Sequence, residues 1–197
     1  DPSDGEILIN GEKKILPKRL VRLLGYLPQE LSVDFPITVL DYLRMAGSPS
    51  QINHFLSKFQ LDDLFTKRIT ELSLGQLQRV QFAQVMLQDP GIFLLDEPFS
   101  ALDVQTRAIM TEELMQLWDQ TGSTVMFVTH DLEEAIGLAD EVVVLSAGPG
   151  SRIVGRHEVG LERPRNMLDI RTDSRFMELY GRIWAQLREE VLRSHAR

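Results

Sequence analysis

Two runs near the middle of the chain, IFLL at residues 92–95 and TVMFV at residues 124–128, are apolar at consecutive rather than alternate positions. That pattern predicts central strands of a parallel sheet covered on both faces. Between them, residues 104–122 (VQTRAIMTEELMQLWDQTG) show amphipathic helical spacing closed by Gly122, as a crossover between parallel strands requires. EVVVLS at 141–146 adds a strand, and RIVGRHEV at 152–159 a shorter one. Upstream, GEILIN at 5–10 reads as a strand, and KRLVRLLGYLPQE at 18–30 as a helical stretch running into a strand that ends at a turn. Residues 37–72 differ: ITVLDYLRM, SQINHFLSKFQ and LDDLFTKRI have helical spacing, with breaks at AGSPS and around Leu61. They predict a small helical subdomain inserted in the sheet-forming chain. A helix is predicted from Ser73 to about Gln88. Residues 148–197 form a C-terminal extension of one strand and one amphipathic helix. Its stripe of Phe176, Leu179, Tyr180, Ile183, Trp184, Leu187 and Val191 reads as a packing face, with Asp173 or Thr172 as cap.

Composition narrows the classes. A chain of 197 residues, 43% of them hydrophobic, buries roughly 70% of its unfolded surface in one core, so one domain with a subdomain is expected. Alternating strands and helices place it in the α/β class. A formal net charge of −8 argues against nucleic acid as a partner, because phosphate binding needs a basic face. The absence of cysteine removes disulfides and thiolate metal sites. No apolar run approaches the ~18 residues of a membrane span, and DPSDGE is acidic where a signal peptide would be basic. A cytosolic domain is expected.

Candidate chemistry lies where the two central strands end, at DEP and THD, because ligands of open α/β sheets bind at the carboxyl ends of strands. Taken alone, Asp96 and Glu97 read equally well as solvated turn residues. Their company changes the balance. ELSLGQLQRVQFAQVMLQDPGIFLLDEPFSALD sets a Ser-Gly-Gln helix start, a strand-end acid pair and a Ser-Ala-Leu-Asp loop in order, and VTHDLEEA follows one strand later. Together these residues resemble the nucleotide-binding domain of ABC transporters, a P-loop NTPase (RecA-like) α/β fold with a small helical subdomain. In that resemblance Ser73, Gly75 and Gln76 belong to the signature, Asp96 and Glu97 to Walker B, Asp103 to the D-loop, His130 to the switch and Gln29, in YLPQE, to the Q-loop. The likeness covers nearly the whole chain.

The resemblance implies ATP and Mg²⁺ as cofactors. Asp96 would hold Mg²⁺ through water, with Gln29 beside the metal, and Glu97 would polarise the attacking water as general base. His130 would hydrogen-bond the γ-phosphate and keep the water aligned; His54, His157 and His195 read as surface or packing residues. Ser73 has two compatible readings, because SLGQ also fits a capping box, and a capped helix start is an anion site. The family's arrangement implies a head-to-tail dimer in which the signature meets nucleotide on the other subunit and Asp103 crosses the interface. Three departures stand out. No G-x-x-x-x-G-K-[ST] loop occurs in the chain, Leu74 occupies a position that usually holds glycine, and Gln84 interrupts the familiar Ala-Arg-Ala-Leu pattern. The missing loop is expected immediately upstream of Asp1, making the chain N-terminally incomplete and opening two sheet edges to aggregation. The alternative is a non-catalytic interaction subunit.

THDLEEAIGLADEVVVLSAGPGSRIVGRHEVGLERPRN and the terminal helix resemble the nitrate/sulfonate/taurine-type importer ATPases, while GYLPQELSVDFPITVLDYL is closer to metal-chelate importers. Implied partners are a transmembrane permease, a second ATPase subunit and, indirectly, a solute-binding protein, with the chain peripheral on the inner face of the cell membrane. Phe35, Leu40 and Tyr42, beside the Q-loop, are the expected lining of the permease groove. A soluble ABC ATPase of translation or repair is the other rival, disfavoured by the shortness of the insert. The solute itself is not legible.

Overall fold

The computed structural model describes residues 8–13, 15–29, 35–147, 150–167 and 169–195. Its chain divides into two compact units: Asp1–Ala101 with Thr121–Met126, and Leu102–Gln120 with Phe127–Arg197.

In the first unit, the segment read as the GEILIN strand falls partly on residues 5–7, outside the described residues. Its visible end is a tight turn. Ile9 and Glu12 exchange backbone hydrogen bonds of 3.2 and 3.0 Å around Asn10 and Gly11, at φ 52° and 79°. Helix α1 (Pro17–Leu23) begins on a proline, which is preorganised for a first helical turn, and leads directly into β1 (Leu24–Leu27). Helices α2 (Val39–Arg44) and α3 (Pro49–Lys58) begin at the caps Thr38 and Ser48. The third expected helix, LDDLFTKRI, does not form. Residues 62–66 are turns, followed by a 3₁₀ turn, Ile69–Glu71. The reason is a competing use for its carbonyls: Val39 N–H donates to Lys67 O and Leu40 N–H to Phe65 O, both at 3.0 Å. The loop thus satisfies donors that a helix start leaves unpaired.

Helix α4 (Leu74–Leu87) starts at the predicted capping box and packs on β1 at Gly25. A Cβ at Gly25 would lie 2.6 Å from Pro90 Cγ and 2.9 Å from Val85 Cγ1, so the close approach depends on glycine. Phe59, Phe82 and Phe99 form a chain of ring contacts, at 5.6 and 5.7 Å between centroids, from the helical insert through α4 to the loop after β2 (Ile92–Asp96). The sheet order is β1-β2-β3, with β3 being Thr124–Val128, and β1 runs parallel to β2. Cover on both faces was expected, but only one is fully buried. Leu27, Phe93 and Leu95 are at most 2% exposed, whereas Tyr26 and Met126 are 55% and 59% exposed.

In the second unit, α5 (Val104–Thr121) ends as expected before Gly122, at φ 62°. Helix α6 (Leu132–Leu138) is capped by Asp131. Strands β4 (Glu141–Leu145) and β5 (Ile153–Glu158) form a separate antiparallel pair, β5 being longer than β4 rather than shorter. Val142 and Val144 point into a core with Ile136, Phe176, Leu179 and Ile183, the last three from α7 (Ser174–His195). The stripe of α7 is narrower than predicted: Trp184 and Val191 are at least half exposed. A two-stranded ribbon offers too little surface to cover the whole helix, and the contact ends in polar groups. Gln186 Nε2 donates to Val154 O at 2.6 Å and Gln186 Oε1 meets His157 Nε2 at 2.9 Å. His157 is thus a packing residue, as expected. His54 is exposed, and Asp173, not Thr172, caps α7 by accepting the Arg175 N–H at 2.7 Å.

Candidate functional site

The parallel register fixes one end of the first unit's sheet. Leu27 pairs with Leu95, so Gln29 follows β1 by as many residues as Glu97 follows its partner position on β2. Gln29, Asp96 and Glu97 therefore gather at the carboxyl end, where open α/β sheets bind ligands. Period-two alternation puts Asp96 on the face of Ile92 and Leu94, opposite buried Phe93 and Leu95. Both acids are partly buried and Gln29 is exposed. Glu97 departs from strand geometry: its φ is 50°, the left-handed region. A glutamate held there costs on the order of 1 kcal/mol or more, and the loop holds it by loading its carbonyl. Glu97 O accepts the Ser100 N–H at 3.2 Å, the Ser100 hydroxyl at 3.0 Å and Gln78 Nε2 at 3.2 Å.

Ser73, Gly75 and Gln76 occupy the start of α4. Ser73 Oγ accepts the Gln76 N–H at 3.3 Å and Gln76 Oε1 accepts the Ser73 N–H at 3.0 Å. The capping box leaves the other first-turn amides pointing along the helix axis, with the positive end of the dipole. Leu74 is 69% exposed, its side chain in solvent, so its replacement of a glycine leaves the backbone donors uncovered.

Asp103 and His130 belong to the second unit. The Asp103 carboxylate caps α5: Oδ1 accepts the N–H groups of Gln105 and Thr106 at 3.0 Å, and Oδ2 accepts the Thr106 hydroxyl at 2.7 Å. These bonds, led by the Thr106 N–H, hold its carboxyl below the ordinary range. His130 is exposed in a turn whose neighbours are fixed. Thr129 Oγ1 accepts the Asp131 N–H and donates to Glu134 Oε2, each at 2.9 Å. Arg107 lies 3.4 Å from both Asp131 Oδ2 and Glu134 Oε1, and also from Leu102 O. Sequence reasoning missed Gln78, Arg107 and Arg165. Gln78 was hidden in a helix read for its cap, although a glutamine three and four residues from Gln81 and Phe82 and seven from Val85, all buried, was a signal. Arg165 lies in the ERPRN end of the importer-like stretch, which carries no sign of its burial. It is 7% exposed and donates to the carbonyls of Ile136, Gly137, Ala139 and Leu161, capping the end of α6. Burial pulls its pKa down. An open cavity of about 550 Å³ in this unit, lined by residues such as Ile109, Met115 and Met167, is bordered by none of the predicted site residues.

Among the described residues no group of three or more potential metal ligands converges. That donor set still fits Mg²⁺, which takes one or two protein oxygens and fills its octahedron with water and phosphate. One partly buried carboxylate, Asp96, with Gln29 at the same sheet end, suffices.

Comparison with known proteins defines the class. The model of the ABC transporter family matches residues 1–100, and the chain belongs to that family. The fold agrees. A dimeric ATP-binding cassette bound to ADP and Pi superposes with a TM-score of 0.69 at 25% identity, covering 82% of this chain and 76% of that one. Archaeal ribosome recycling factor, solved with a stalk protein, gives 0.66 at 28% identity, over 80% of this chain and 30% of that one. Within the family, curated relatives include ATP-binding proteins of importers. The aliphatic sulfonates import ATP-binding protein of Bacillus thuringiensis is 33% identical over 93% of this chain and 72% of its own length. The nitrate import ATP-binding protein of Synechococcus elongatus is 33% identical over 97% of this chain and 70% of its own. An ABC transporter ATP-binding protein of Methanocaldococcus jannaschii is 48% identical over 63% of this chain, which spans 45% of that protein.

Proposed function

We propose that the chain is part of the ATP-binding and hydrolysing subunit of an ABC importer for a small oxyanionic solute of the sulfonate, nitrate or bicarbonate kind. The observation that carries this reading is the convergence of Gln29, Asp96 and Glu97 at the carboxyl end of parallel strands, joined to the signature helix within one unit. Relatives named for sulfonate, nitrate and bicarbonate transport support the solute class. Longer coverage of importer proteins than of the recycling factor favours transport over a soluble role.

In this reading, bound Mg²⁺ neutralises phosphate charge and is held by Asp96 with Gln29 nearby. Glu97 accepts a proton from the attacking water, which needs a carboxylate that is ionised and aimed. His130 donates to the γ-phosphate oxygens. Ser73, Gly75 and Gln76 present backbone donors to the nucleotide of a second subunit, and Asp103 lies at that subunit contact. The partners are a second ATPase subunit and a membrane permease docked near Phe35, Leu40 and Tyr42; a solute-binding protein acts through the permease. No described helix is long and apolar enough to cross a membrane, and the subunit works at the inner face through that permease.

The test is ATP turnover by the full-length protein. Glu97→Gln is expected to cut kcat by at least 100-fold, in the range seen when a positioned proton acceptor is removed, while ATP still binds and the dimer accumulates. Unchanged turnover in Glu97→Gln would remove Glu97 as the proton acceptor, and no turnover in the wild type would leave a binding subunit. Polar substitutions at Leu40 and Tyr42 that leave coupled transport intact would remove the permease groove.

A further inference from the structure

We infer that Gln78 is a positioning residue for Glu97, setting the direction of its carboxylate from the signature helix. The inference rests on the reading of Glu97 as the proton acceptor.

Three observations converge on one side chain. Glu97 occupies left-handed backbone at φ 50°, a conformation that residues with a Cβ keep only when their surroundings impose it. Gln78 is 6% exposed and uses both ends of its amide: Nε2 donates to Glu97 O at 3.2 Å and Oε1 accepts the Ala101 N–H at 3.1 Å. One buried side chain therefore spans the whole turn from Glu97 to Ala101. Ser100 adds two bonds to the same carbonyl, yet it is exposed and moves with the turn; Gln78 alone of these donors comes from another element. Gln78 sits two residues after Gln76 and five after Ser73, on the rigid helix whose first turn carries the signature. The start of α4 and the backbone at Glu97 are thus linked by one helix and one amide.

Release of the Glu97 carbonyl would let the backbone at residue 97 leave φ 50°, and the direction of its side chain at the carboxyl end of the sheet would change with it. A catalytic group misplaced by about 1 Å loses on the order of 100-fold in rate, while nucleotide binding, which does not use this peptide, is unaffected. Gln78 acts on kcat and not on KM.

The experiment compares full-length wild type, Gln78→Met, Gln78→Glu and Glu97→Gln for ATP turnover, ATP affinity and kcat against pH. Gln78→Met keeps the volume and loses both hydrogen bonds; kcat is expected to fall at least about tenfold with KM within about twofold of wild type. Gln78→Glu keeps an acceptor for Ala101 but places a carboxylate oxygen against Glu97 O, so only its protonated form can donate. Its kcat relative to wild type is expected to rise as pH falls, a profile that a general packing defect does not produce. Turnover by Gln78→Met within twofold of wild type, alongside an inactive Glu97→Gln, overturns the inference and leaves the proposed function standing. A loss in Gln78→Met that disappears when turnover is expressed per nucleotide bound also overturns it. An active Glu97→Gln removes Glu97 as the proton acceptor and the inference with it, while ATP hydrolysis by the protein stands.

Discussion

At the scale of single residues, Ser73 and the capping aspartates Asp103 and Asp173 separate architecture from chemistry. Serine caps α4, and removing such a cap costs about 1 kcal/mol. Ser73→Ala is expected to lower the unfolding free energy by that amount in denaturant titration. Aspartate caps as well as serine, but it brings negative charge to the end of a helix proposed to meet phosphate. Ser73→Asp is expected to keep stability and lose nucleotide-driven dimerisation; a dimer that forms normally would show that this helix end meets no phosphate. Asp103 and Asp173 titrate in a defined direction. The Thr106 N–H holds the first below the ordinary carboxylate range, and the Arg175 side chain holds the second. A depressed folded pKa gives stability that is fully present above the unfolded value, about 3.9, and is lost as pH falls through the folded value. Asparagine also caps helices, so Asp103→Asn with Asp173→Asn should melt near the wild-type temperature at pH 7 and show a shallower loss below about pH 4. Acid profiles that superimpose would contradict the capping assignment. The Ser73 cap was legible because its spacing is local. Gln78 was not, because its partners lie 19 and 23 positions away.

At the scale of elements, the sequence displayed what is periodic and concealed what is shared. Helices α4 and α5 and strand β2 lie where their patterns put them, since the helices satisfy their own backbone and the apolar run of β2 marks a strand paired and packed in the sheet. LDDLFTKRI failed as a helix because its carbonyls serve α2, a use no periodicity records. The C-terminal stripe was over-read for a related reason: spacing shows which side chains share a face, not how much surface waits opposite. The ordering around His130 is likewise a matter between elements. Arg107 on α5 holds Asp131 and the largely buried Glu134, and touches the Leu102 carbonyl just before Asp103. Its weight should appear as coupling. In a double-mutant cycle of Arg107→Met and Glu134→Gln, an interaction of about 1–2 kcal/mol is expected, the range for contacting charged groups that are only partly shielded. Additive losses would reduce Arg107 to a surface contact without hold on the His130 turn.

At the scale of the molecule, the consecutive apolar strands ask for more cover than the described residues give. The three-stranded sheet leaves Tyr26 and Met126 more than half exposed, and the two-stranded ribbon leaves Val143 and Leu145 exposed by 41% and 57%. Both β3 and β4 stand at an edge of the sheet to which each belongs. Unpaired backbone beside bare apolar side chains is the combination that recruits further strands. The two-sided apolar code was therefore read correctly as a demand for burial, and wrongly as evidence that the described residues meet it in full. The 197-residue chain expressed alone is expected to self-associate with rising concentration and to bind a hydrophobic dye, measured by light scattering and fluorescence. Met126→Lys with Val143→Lys should suppress both, because lysine on an edge strand opposes pairing and shortens the apolar patch. A 197-residue chain that remains monomeric and dye-negative without them would mean that the exposed strands are tolerated as they stand, and that no further cover is needed to explain their composition.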